Sequence, residues 1–345
     1  FTIEEQTSLQ MLRLSDTLRL VSPERIRDEL WKIVTDAHPA AGLAALQRYG
    51  LLWATMPEIA DLADVAQSAP HAYPVLQHTL EAVRHAQNLR LWLKGEPVPD
   101  GHPATAQWQA ALAPLLFRLR EHFLTEVAGA RLRADWLPWC ALLHDAGKAR
   151  TRTEESTAAG ATRYRFLGHE DESARLTLLR LEALRFSRYE IELACTVVQA
   201  HMRPHHLHVA FLGGAISRRA AFRFFRDVDA RHHTMMAGID TLLVALADYL
   251  AIYGEVLPAD WEEYLAHVAQ LLTYAFDAQG FQQAAQPLVD GHTIMHYFNL
   301  GPGRQVGALL ASLQEAQAAG EVSSPEEALA LVATLVAGGE VSSSP

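Results

Sequence analysis

A mostly apolar run, Trp139-Cys140-Ala141-Leu142-Leu143, leads directly into His144, Asp145, Ala146, Gly147 and Lys148. Apolar residues at that density mark a buried helix. Such a helix has little reason to end in an imidazole and a carboxylate unless the pair binds something. Adjacent helical residues diverge by about a third of a turn, so His144 and Asp145 share a ligand only if it lies between them at the helix end. Imidazole and carboxylate are good ligands for first-row divalent metals, which makes a metal the expected occupant. Gly147 suits a helix C-terminus, and Lys148 beyond it places a positive charge beside an anionic substrate.

Other residues of the same chemistry sit in comparable settings. His78 lies on a helical pattern with Leu80 and Val83, and Glu81 follows it by one turn as a candidate acceptor for a ligand N–H. His169 follows a polar loop, His201 ends the apolar helix from Ile191, and Asp248 stands alone inside Leu246-Ala247-Asp248-Tyr249-Leu250. An aspartate in such a run is costly unless paired or bound to a cation. A lone histidine in such a setting reads more readily as core packing than as a ligand; the weight comes from the order His, His-Asp, His, His, Asp, each on its own helix or helix end. Five further histidines, His38, His102, His122, His232 and His233, read as surface or loop positions.

The elements that must carry these residues are helical almost throughout, since apolar positions recur at helical spacing and strand alternation is scarce. Ser22-Pro23-Glu24 and Ser324-Pro325-Glu326-Glu327 have the serine and proline of helix starts, and Ser187-Arg188-Tyr189-Glu190 has capping-box spacing. Gly50 stops an early helix, Lys94 to Thr105 reads as a loop, and Ala106 to Val127 as helix. Thr162 to Phe166 is a candidate hairpin strand, and Pro204 blocks the helix ending at His201. The expectation is an all-α fold: a helical core over 66–255, a helical module over 1–65, a helical tail over 256–345 and a frayed end from Gly338.

The chain has 345 residues, half of them hydrophobic, and a formal net charge of −11. That charge argues against a surface built wholly to grip nucleic acid. Arginines nevertheless concentrate between Arg203 and Arg231, a pattern that suits phosphate recognition. In the same stretch Asp227-Val228-Asp229 reads as a solvated pair. No apolar run is long enough for a membrane span. Cys140 and Cys195 read as core thiols in a reducing cytoplasm.

The ordered set His78, His144-Asp145 with Gly147-Lys148, His169, His201 and Asp248 resembles the HD superfamily of metal-dependent phosphohydrolases. The resemblance implies one divalent ion (Mn, Fe, Ni, Co or Mg) on His78, His144, Asp145 and Asp248. A second would lie on His169 and His201, with Asp145 bridging. His205 or His206 is an alternative to His201. Asp145 and Lys148 would carry catalysis, with Lys148 and Arg203 binding the phosphate of a nucleotide or RNA ester as phosphomonoesterase or phosphodiesterase.

Ser22 to Leu30 with Met56-Pro57-Glu58, Tyr164 to Glu170, Leu184 to Ser187, and the tail stretches Val289 to His292, Leu300 to Gly303 and Glu315 to Val322 resemble the neck, HD and tail regions of bacterial tRNA nucleotidyltransferases and poly(A) polymerases. Those enzymes carry a catalytic head with a Gly-Ser motif and a magnesium-binding Asp-x-Asp. This sequence has no Gly-Ser pair, and its one Asp-x-Asp falls at Asp227–Asp229. The expectation is a fragment or headless relative that does not add nucleotides. A rival expectation is an RNA- or tRNA-binding body whose metal site is structural or vestigial.

Overall fold

Prolines and glycines set where the helices of this chain begin and end. In the computed structural model, which describes residues 3–99, 101–156, 162–229, 236–277 and 287–337, the helices are α1 (Glu5–Leu14), α2 (Pro23–Val34), α3 (Pro39–Arg48), α4 (Leu51–Thr55), α5 (Pro57–Ala60), α6 (Val75–Lys94), α7 (Pro103–Leu112), α8 (Leu116–Phe123), α9 (Trp136–Leu143), α10 (Lys148–Thr151), α11 (His169–Ala183), α12 (Arg188–Ala200), α13 (Arg203–Ala210), α14 (Arg218–Val228), α15 (Ala237–Ile252), α16 (Trp261–Phe276), α17 (Gly291–Phe298), α18 (Arg304–Ala319) and α19 (Pro325–Ala337). The all-α expectation holds. Proline opens α2, α3, α5 and α7, where its missing N–H costs nothing. The Ser187 capping box forms as its spacing predicts: the Glu190 amide donates to Ser187 Oγ, and Glu190 Oε2 accepts from the Ser187 amide at 2.8 Å.

Among the described residues two short hairpins interrupt the helices. Thr153–Ser156 pairs antiparallel with Thr162–Arg165, as expected of the 162–166 stretch. The other, Glu126–Ala128 with Arg131–Leu132, turns through Gly129 and Ala130, both at positive φ; the sequence pattern reads the start of this region as helix.

The core is built on α6, α9 and α15, which pack on one another. In α15, Ala237 to Ala251 are all buried, and in α9 every residue is. The N-terminal helices join the same core. Leu30, Val34, Leu43, Leu52 and Ile59 are contiguous with it, Trp31 stacks on Trp139 with centroids 5.7 Å apart, and the two carboxylate oxygens of Glu58 accept from Nε and Nη2 of Arg180, each at 2.8 Å. Helix α16 also packs here, so the expected division at 255 is not a break in the apolar core. Among the described residues a smaller separate core, with Ile294, Leu309, Leu313 and Val332, lies within α17 to α19.

Several single-residue expectations change. His102 is buried, its Nε2 on the Gly254 carbonyl at 3.1 Å. His122 holds Asp240 at 2.9 Å. Asp229 is buried and accepts from the Ala237 amide at 2.7 Å, so it bridges α14 to the start of α15; Asp227 alone of the pair faces solvent. Arg231, His232, His233 and 338–345 lie outside the described residues.

Candidate metal centre

The six residues singled out by order arrive on five supports. His78 sits on the first turns of α6. His144 and Asp145 continue α9, His169 opens α11, His201 caps α12, and Asp248 projects from α15. All six are buried and meet at one point. His144, Asp145, His78 and His201 are each only 1% exposed, so whatever they bind lies inside the protein.

Asp145 is the hub. Its Oδ2 lies 3.4 Å from His78 Nε2 and 3.1 Å from His144 Nε2, while its Oδ1 lies 3.3 Å from His169 Nε2 and 4.0 Å from His201 Nε2. The two oxygens thus face two separate histidine pairs. Asp248 Oδ1 adds to the first group, 2.9 Å from His78 Nε2 and 3.3 Å from His144 Nε2. Among the described residues three sets of donor atoms lie, within each set, no more than 4.8 Å apart: His78, His144 and Asp145; His144, His201 and Asp248; and Asp145, His169 and His201.

Hydrogen bonding fixes which ring nitrogen faces inward. The Nδ1–H groups of His144, His169 and His201 donate to the carbonyls of Ala141, Phe166 and Val198, each three residues back, at 2.7, 2.8 and 2.7 Å. Each Nε2 is therefore the nitrogen that faces the centre, free to carry either a metal ion or a proton. His169 Nε2 and His201 Nε2 stand 3.3 Å apart, two acceptors facing each other, an arrangement that calls for a proton or cation between them. His78 Nε2, His144 Nε2 and both oxygens of Asp145 are buried without a well-directed hydrogen bond, although Lys148 Nζ stands at ion-pair distance from Asp145 Oδ2 and Asp248 Oδ1 from His78 Nε2. Orphaned donor atoms of metal-ligand chemistry converging on one interior point fit a divalent ion.

The electrostatics agree. Burial alone would depress His78 and His144, yet Asp145 and Asp248 outweigh it: His78 is raised and His144 is pushed up to about 10. Burial would raise the two carboxyls, but His144 with Lys148 holds Asp145, and His144 with His205 holds Asp248, well below the usual range. Two carboxylates here demand positive charge, and protons on histidine supply what a cation would. On the other side, burial first and then His144 and His169 push His201 down to about 3, which keeps its lone pair free.

Lys148 is buried beside this hub, its Nζ 2.7 Å from Asp145 Oδ2 and 3.1 Å from Gln67 Oε1. Gly147 does not serve as a left-handed helix end, because its φ is −74°. Its role is close approach: a Cβ there would lie 2.4 Å from the His169 carbonyl oxygen and 2.7 Å from the Ser173 nitrogen.

Two expected site residues are not brought to the cluster. Glu81 pairs with Arg84 at 2.7 Å and leaves His78 Nδ1 unpartnered. Arg203 faces Asp227 at 3.6 Å and lines a cavity of about 980 Å³ between α11, α12, α13 and α14, whose walls include none of the six candidates. Of the three histidines left open for the second group, His201 takes the place. His205 instead reaches Asp248 Oδ2, and His206 lines that outer cavity. The sequence reading missed Gln67, and also His71, whose ring meets His78 edge-on with centroids 5.3 Å apart. Burial and Lys148 push His71 down to about 4. Nothing in helical periodicity marks either residue, since both lie in the irregular segment before α6.

Residues 1–62 match the model of a family described as the probable RNA and SrmB-binding site of polymerase A. Residues 75–253 match that of the HD domain. A CC-adding tRNA nucleotidyltransferase of Thermus thermophilus is 30% identical over 91% of this chain and 57% of its own length. An A-adding tRNA nucleotidyltransferase of Deinococcus radiodurans is 29% identical over 96% of this chain and 64% of its own. The chain thus spans roughly three fifths of the curated relatives it matches. The HD match takes in more than half of the sequence and every residue of the buried cluster, and this protein belongs to the HD-domain family.

Proposed function

We propose that the protein is a metal-dependent phosphohydrolase acting on a nucleotide or RNA phosphate ester. The observation that carries this reading is the split of Asp145, with one carboxylate oxygen toward His78 and His144 and the other toward His169 and His201. His78, His144, Asp145 Oδ2 and Asp248 Oδ1 would hold one divalent ion, and Asp145 Oδ1, His169 and His201 a second. A donor set this rich in imidazole suits Fe, Co or Ni better than Mg. When bound, ions at such a site supply Lewis acidity toward a phosphoryl oxygen and lower the pKa of water. The chain's own contribution is orientation and charge. Backbone carbonyls lock three imidazoles in the ligating tautomer, and Lys148, steadied by Gln67, offers an ammonium to an incoming phosphate.

A second reading draws on the match of residues 1–62 and on the relatives: binding of RNA, tRNA included, by the N-terminal helices and tail, with the metal site structural. One experiment separates the two. Elemental analysis of the wild type and of Asp145→Ala is combined with turnover of a panel of phosphomonoesters and cyclic phosphodiesters, and with tRNA binding. The hydrolase reading expects one or two equivalents of transition metal in the wild type, and loss of metal and turnover together in Asp145→Ala, with tRNA binding retained. Turnover that survives in Asp145→Ala sinks the assignment. Metal without turnover on any ester moves the conclusion to the RNA-binding body.

A further inference from the structure

His205 lies outside the cluster and hydrogen-bonds one of its candidate ligands. Its Nε2 lies 2.9 Å from Asp248 Oδ2, the oxygen turned away from His78 and His144. A carboxylate accepts here, so His205 donates. The ring is itself held: it stacks on Tyr249 and Tyr264, at centroid distances of 5.6 and 5.4 Å. Those tyrosines lie flat on each other at 3.8 Å. Their hydroxyls are anchored in turn, Tyr264 on the Ala245 carbonyl at 3.1 Å and Tyr249 on Asp260 at 2.5 Å. Asp260 also accepts from His208, one turn after His205 on α13, at 3.1 Å.

The break in the helix before α13 makes this possible. On one continuous helix His201 and His205 would share a face. Pro204 stands at the start of a new helix instead, and the two rings part: His201 toward Asp145 Oδ1, His205 toward Asp248 Oδ2.

We propose that His205 is a positioning residue that fixes the rotation of the Asp248 carboxylate, so that Oδ1 faces the centre, and that it is not itself a ligand. The proposal rests on the reading of the cluster as a metal centre.

The test is titration of chelator-stripped full-length protein with Mn²⁺, read as affinity and stoichiometry, for the wild type, His205→Phe and His205→Gln. Phenylalanine keeps the stack on the tyrosines and removes the donor; glutamine restores an N–H at about the reach of Nε2. His205→Leu is a second donor-free variant and serves if the phenylalanine variant does not fold. The expected result is a fall in affinity of about 10- to 100-fold in the donor-free variants, unchanged stoichiometry, and recovery to within a few-fold of wild type in His205→Gln. Wild-type affinity in the donor-free variants overturns the proposal. So does saturation one equivalent short, which would make His205 a ligand. A wild type that binds no Mn²⁺ removes the metal-centre reading itself, a result distinct from either.

Discussion

At the scale of single residues, Gly147 shows how tightly the centre is built. Its amide donates to Ser173 Oγ at 2.8 Å, and its missing side chain lets α11 sit directly against the turn that carries Asp145. Because the obstruction is backbone, Gly147→Ala must move α11 and with it His169. The expected cost is about 1–3 kcal/mol of stability, with weaker binding of metal at the Asp145–His169–His201 side. Urea unfolding and Mn²⁺ titration of the variant check this, and a variant as stable as wild type would show that the two backbones have room to part. The glycine itself was legible beside His144-Asp145, but its reason was not, because a partner 26 positions away leaves no local signal. The same limit explains the other differences. His78, His144, Asp145, His169, His201 and Asp248 stand out as polar groups in apolar settings. Helical spacing also puts Glu81 near His78, yet does not say that Arg84 at i+3 takes its carboxylate.

At the scale of elements, most helix boundaries were legible because Ser, Pro and Gly act locally; the junction between α14 and α15 was not. Asp229 looked like half of a solvated pair, but it is buried, and burial pushes its carboxyl up to about 6 even though it accepts from the amides of Ala237 and Gly238. The sign of its effect on stability follows. Between the ordinary aspartate value near 4 and about 6, the folded protein keeps a proton that the unfolded chain has released. The contribution of this group to stability is therefore greatest in acid and falls as pH rises through that window. Asp229→Asn keeps an acceptor for Ala237 N–H and removes the titration. Denaturant unfolding at pH 4.5 and at pH 7 should show the variant gaining on wild type at the higher pH by about 1–3 kcal/mol. Equal pH dependence in the two proteins would place the titration elsewhere. This junction matters to the site because α15 carries Asp248 about three turns further along.

At the scale of the whole molecule, the arginine-rich stretch changes meaning. Read as sequence it is a phosphate-binding face; in the fold much of it is spent on carboxylates. Arg223 and Arg226 share Glu315, Arg219 meets Glu321, and Arg218 reaches the Ala318 carbonyl, so that α14 is the seat on which α18 and its separate small core dock. A surface neutralised in this way has little left to release counterions from RNA, which favours the buried cluster over the arginine face as the place where phosphate chemistry is done. Composition could not reveal this, because the paired carboxylates lie about 90 to 100 positions downstream. The two cores should accordingly separate under mutation. Glu315→Ala leaves Arg223 and Arg226 facing each other without their shared acceptor, and both arginines are partly solvated. The expected loss is therefore about 1 kcal/mol, confined to the docking of α17 to α19. Hydrogen exchange should rise across α18 while Mn²⁺ affinity and stoichiometry stay at wild-type values. A fall in metal affinity would mean instead that the C-terminal core braces the centre through α14 and α15, and that the two behave as one cooperative unit.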